Sequence, residues 1–145
     1  MTRSKRMQPV AQVADSRQKD AARQMGERQR MLDEQIRRLQ ELDAYRDEYA
    51  RRFEDGADGM MGLHVREYRL FLARLNQAAE EQARNVERAR QALERSQGDW
   101  TRCRIHSDAV NKVIDRLQVE ERDEDVRREQ SDNDEFGQRP RRRDS

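Results

Sequence analysis

The side chains capable of chemistry are few, and their spacing argues against most of it. His64 and His106 stand far apart in the chain with no third ligand at metal-binding spacing. His64 reads as a cap at the start of a helix, and His106 as a solvated flank. Cys103 is the only cysteine, so it cannot close an internal disulfide, and it suits a small apolar filler. Residues 120–135 hold nine carboxylates against three arginines, but without the glycine and ligand spacing of a calcium loop. They read as a solvated acidic helix face. No glycine-rich phosphate loop, Ser-His-Asp pattern or CxxC is present. These residues predict no catalytic group, no metal site and no cofactor. The chain is expected not to be an enzyme.

The elements that carry these groups come from hydrophobic spacing. Val65, Tyr68, Leu72, Leu75, Ala79, Gln82, Val86, Ala89, Leu93, Ser96, Trp100, Cys103, Ser107, Val110, Ile114 and Leu117 follow one another at alternating steps of three and four. Only Gln82, Ser96 and Ser107 break the apolar character. A strand needs period two, and a lone surface helix drifts off a strict seven-residue repeat. A stripe held over several heptads is a seam that another helix must cover. Composition agrees: 33% of the 145 residues are hydrophobic and 42% charged, too little apolar material for a globular core of this length. The expected fold is all-α, a long two-helix antiparallel coiled-coil hairpin.

The cover comes from the first third of the chain. Ala11, Ala14, Ala21, Met25, Leu32, Leu39, Leu42, Tyr49 and Phe53 share a stripe that Val10, Met31, Ile36 and Tyr45 widen and Gln18, Arg28, Gln35 and Arg46 interrupt. Helix one is predicted over about 8–54, beginning after Pro9 or using that proline in its first turn. A Gly-rich turn follows over 55–62, where three of the six glycines fall. Helix two is predicted over about 63–136, within a single coiled coil spanning 1–136. Gly137 and Pro140 are expected to stop it, leaving 137–145 as a disordered Arg-rich tail. Roughly 70 helical residues at about 1.5 Å each predict a rod on the order of 100 Å long. Folding about the turn places residues near 10 beside residues near 108. Past about residue 112 the stripe of Val113, Ile114, Leu117 and Val119 then lacks a cover. It reads either as a partner contact or as a frayed end.

Charge narrows the classes of partner. Thirty-one basic and thirty acidic residues nearly cancel, which predicts no specific nucleic-acid partner. The basic end Arg139-Pro140-Arg141-Arg142-Arg143 suits weak phosphate contact or solubility. No stretch approaches about 18 apolar residues, and the basic start lacks a secretory apolar region. With one cysteine, these features predict a cytoplasmic protein.

Five of the seven aromatic residues, Tyr45, Tyr49, Phe53, Tyr68 and Phe71, flank the glycine turn on both arms. Tyr49, Phe53 and Tyr68 fit the seam, while Tyr45 and Phe71 sit one position off it. With Leu42, Leu75 and Ala78 they form either a docking patch across both helices or bulky packing at the wide end of the hairpin.

Leu42-x-x-Tyr45-x-x-x-Tyr49, the glycine break and Tyr68-x-x-Phe71-Leu72-x-x-Leu75 come in that order, followed by Gln82, Trp100 and Arg122…Glu129-Gln130…Asp134-Glu135. Over about residues 8–136 this order resembles the flagellar type III export protein family called FliJ, and related rod proteins of injectisome export ATPases. The resemblance implies a non-enzymatic rod that enters the hexameric flagellar export ATPase as its central stalk. It also implies docking to the large membrane export-gate protein and handling of export chaperones. Gate binding would fall to Leu42, Tyr45, Tyr49, Phe71, Leu75 and Ala78. The ATPase-facing end would hold Val110, Val113, Ile114 and Leu117. Arg38 and Gln82 stand where similar proteins often have other polar residues. The implied location is cytoplasmic, peripheral to the inner face of the cytoplasmic membrane at the flagellar base and reached through partners. The competing reading is a generic self-associating coiled-coil scaffold.

Overall fold

Helix formers dominate both arms, and between Arg3 and Asp55 only Val10, Val13 and Ile36 are β-branched. The computed structural model, which describes residues 1–56 and 62–138, accordingly contains two α-helices: α1 (Arg3–Asp55) and α2 (Gly62–Gln138). The described residues contain no strand. The fold class is all-α, with the two long helices packed on each other. Their contacts divide the chain into two units, Met1–Lys19 with Thr101–Ser145, and Asp20–Trp100.

In the unit of residues 20–100 the partners run antiparallel. Gln35 meets Gln82, Arg46 meets Asn76 and Tyr49 meets Tyr68. Leu32, Val86 and Leu93 form its buried core, against which Met25, Ile36, Leu39 and Ala89 pack. The three-four stripe is the buried face here: Leu75, Ala79, Gln82, Val86, Leu93 and Ser96 are all buried. Gln82, only 8% exposed, is accommodated by pairing. Its amide donates to the Gln35 backbone carbonyl at 2.9 Å and to the Gln35 side-chain oxygen at 2.8 Å, and Asn85 donates to its Oε1 at 3.2 Å. A buried amide costs little when its hydrogen bonds are made. Ion pairs such as Arg38–Glu34 and Arg52–Glu48, each at 2.8 Å, run along one helix and add only a few tenths of a kcal/mol apiece.

In the unit of residues 1–19 and 101–138, α1 begins at Arg3 rather than near residue 8, and Pro9 lies inside it. Proline in a helix interior removes a hydrogen bond to the residue four before it, at a cost of about 3 kcal/mol. Two features offset this. Pro9 occupies an exposed position, and the turn before it is anchored to α2. The Ser4 N–H donates to Glu121 Oε1 at 3.0 Å and its hydroxyl donates to Oε2 at 2.6 Å. Thr2 Oγ1 accepts from the Lys5 N–H at 3.3 Å. The first turn of α1 contains no acidic residue of its own, so Glu121 supplies the negative charge that the positive end of a helix favours.

The anchored start changes the expected cover. Val110 and Ile114 are buried, Ile114 to 5% exposure, and Leu117 is half-buried. Ile114 and Leu117 are therefore covered, contrary to the expectation of a bare stripe past residue 112, because α1 starts about five residues earlier than predicted and reaches Glu121. Val113 and Val119 do lie outward. Residues 122–137 are all exposed, but this stretch is acidic and holds only Val126 and Phe136 as apolar side chains. With so little to bury, it needs no cover. α2 passes through Gly137 to Gln138, so Gly137 is not its stop. At the other boundary Asp55 and Gly62 are helical, and the Gly56 N–H closes on the Arg52 carbonyl at 3.0 Å. Residues 57–61 of the expected turn and residues 139–145 of the expected tail lie outside the described residues.

Candidate functional site

Rings that α1 and α2 bring to their shared flank form one connected cluster. Phe53 stacks on Tyr68 with centroids 3.7 Å apart, and Tyr68 stacks on Tyr49 at 5.4 Å. Tyr49 packs against Phe71 at 4.5 Å. Tyr45 then meets Phe71 edge-on at 6.2 Å and Tyr49 at 6.4 Å. Each such pair contributes about 0.5–1.5 kcal/mol beyond area burial. The inner rings are thus packed against one another, while Tyr45, at 49% exposure, is presented to solvent beside Tyr49 and Phe71. A pre-positioned aromatic ring loses little conformational entropy on binding, which suits it to anchor a partner.

The six expected gate-binding residues separate by depth. Leu75 is buried in the seam, and Leu42, Tyr49, Phe71 and Ala78 are half-buried. Tyr45 is the open member. The remaining candidates do not converge with them. His64 and His106 are exposed, Trp100 is half-buried, and Cys103 is a half-buried free thiol. Among the described residues no group of three His, Cys, Asp or Glu side chains could hold a metal ion, and no helix is long and apolar enough to cross a membrane.

Two features of the structure went unread in the sequence. The first is the Ser4–Glu121 contact. The Ser4 hydrogen bonds, led by that from its hydroxyl, hold the Glu121 carboxyl below its ordinary value; partial burial opposes them and the nearby Lys5 adds to them. The signal was in the spacing, since Ser4, Met7 and Ala11 continue the α1 stripe backwards through Pro9, and Glu121 follows Leu117 by four. The second is the Gln35–Gln82 pair. Both interrupt their stripes, and the same folding about the turn that is expected to place residues near 10 beside residues near 108 would set 35 beside 82.

The fold and the site define a two-helix coiled-coil protein whose distinguishing surface is an aromatic patch. Within that class, the family model described as flagellar FliJ protein matches residues 3–144, and the chain belongs to this family. It is a component of flagellar protein export, in a family that is non-catalytic. No curated protein and no solved structure matches significantly.

Proposed function

We propose that this chain is a non-enzymatic adaptor of the flagellar type III export apparatus. It acts as the central stalk of the hexameric export ATPase, docks onto the large membrane export-gate protein, and handles export chaperones. The observation that carries the reading is the Tyr45 ring, half-exposed yet held by Tyr49 and Phe71. Gate docking is assigned to Leu42, Tyr45, Tyr49, Phe71, Leu75 and Ala78, with Tyr45 as anchor and the others as its support. The ATPase-facing end is assigned to Val110, Val113, Ile114 and Leu117. Of these Val113 offers surface to a partner, while buried Val110 and Ile114 hold the helices that present it. The chain resides at the cytoplasmic face of the flagellar base through these partners.

The test is a binding titration of Tyr45→Ala against the cytoplasmic domain of the export gate, with circular dichroism as control. Removing a central aromatic anchor costs about 2 kcal/mol or more, roughly a thirtyfold loss of affinity, while helix content is unchanged. Undiminished binding by a folded variant would reduce the patch to packing and sink the docking reading.

A further inference from the structure

The aromatic patch is one end of a longer feature of the 20–100 unit. Met31 and Tyr45 from α1, and Phe71, Ala78 and Ala92 from α2, occupy positions one step off the seam on the same flank. The edge-on contact of Tyr45 with Phe71 shows that these two rows face each other. Away from the rings the flank opens into a hollow, floored by Met31 and Ala89 with Asn85, and rimmed by Glu34 and Arg38 on α1 and Arg88 on α2. Met31 is 51% exposed there, an unbranched apolar side chain lining the same hollow as the small Ala89.

The two rims differ electrostatically. On α1, Glu34 is already held by Arg38. On α2, Arg74, Arg88 and Arg95 recur at seven-residue spacing on the exposed edge, with Glu81 at the intervening position. None of these three arginines is ion-paired among the described residues. Seven residues are about 10.5 Å of helix, two turns, so their charges match groups repeating with a helical period rather than an extended chain.

We propose that this flank seats a third helix, contributed by another protein. That helix is amphipathic, with three-four apolar spacing against Met31, Ala78, Ala89 and Ala92 and carboxylates along the edge that meets Arg74, Arg88 and Arg95. Small residues permit close approach of a helix backbone, and methionine adapts to the side chain laid on it. The proposal deepens the docking reading above by naming the chemical class of what docks, and it rests on that reading for the partner's place in the export apparatus.

The experiment uses the full chain and a labelled three-heptad synthetic helix with leucines at its seam positions and glutamates along one edge, beside a twin with lysines on that edge. The glutamate helix binds with an affinity that weakens as salt rises, and the lysine twin does not. Met31→Glu, a surface change that leaves helix content intact, lowers affinity about tenfold. Arg88→Glu with Arg95→Glu transfers the preference to the lysine twin. Failure of both helices to bind, equal binding of both, or binding untouched by Met31→Glu overturns the proposal. A dimer of the chain abolished by Met31→Glu would also overturn it, by giving the flank to a second copy. Gate binding lost in Tyr45→Ala without any helix binding removes this proposal alone. Helix binding beside gate binding indifferent to Tyr45→Ala removes the docking reading alone.

Discussion

Ile114 and Val113 are neighbours in sequence with opposite environments, and they measure how far the first helix covers the second. Ile114 is 5% exposed and Val113 is 41% exposed. A helix by itself cannot bury an isoleucine so completely, so the cover comes from α1 residues of the same unit, which extend back to the Ser4–Glu121 contact. Ile114→Ala removes three carbons, about 2.4 kcal/mol of transfer free energy at roughly 0.8 each. The cavity adds to this, and the better helix propensity of alanine returns about 0.4 kcal/mol, for a net cost of about 2–3 kcal/mol. Val113→Ala removes two carbons that are already half in water, and the propensity gain cancels most of the loss, leaving about 0.5 kcal/mol or less. The assay is native-state hydrogen exchange of the amides of residues 7–18, supported by urea unfolding followed at 222 nm. Reading α1 amides reports directly on a contact made by α2. The opening constant of these amides should rise about thirtyfold or more in Ile114→Ala and less than threefold in Val113→Ala. Equal effects of the two substitutions, or an α1 indifferent to Ile114→Ala, would refute the argument that α1 covers this stretch.

Two more predictions concern the polar contacts. The lowered carboxyl of Glu121 means that its contribution to docking the start of α1 is fully present above the ordinary carboxylate range, and is lost as pH falls through the lowered value. Exchange protection of the first turns of α1 should therefore drop on acidification, and Glu121→Gln should show the low protection at neutral pH with little further pH dependence; a wild-type-like pH profile in that variant would contradict the assignment. Gln35→Leu with Gln82→Leu replaces both partners of a satisfied buried pair with apolar seam residues, so thermal stability should be unchanged or raised by about 1 kcal/mol while helix register becomes less unique. Cysteine cross-linking between positions flanking Gln35 and Gln82 reads that register, and a single cross-linking pattern with a clear loss of stability would be the contrary result.

The heptad frames were legible without the structure because periodicity is a local property. A repeat of three and four decides which face of a helix is apolar, whatever lies opposite. Ala14, Ala21 and Leu32 on α1, and Leu75, Val86, Leu93 and Val110 on α2, are buried at the positions that the spacing names. Even the interruptions obey it, for Gln82, Ser96 and Ser107 are buried as members of the stripe. The aromatic residues beside the turn could likewise be assembled into a patch from their placement on two antiparallel arms.

What spacing does not determine is where a cover ends and which polar group meets which. Proline at position 9 looks like a helix start because local propensity disfavours it inside one, yet a contact between residues 117 apart in sequence outweighs that preference. The same contact converts Ile114 from an apparent overhang into core, and only three-dimensional packing separates Tyr45, the open ring, from Tyr49 and Phe71 that hold it. Local sequence determines the faces of helices because each residue's direction depends on its neighbours. The tertiary structure decides their extent and partners, because the free energy of a contact belongs to both of its ends.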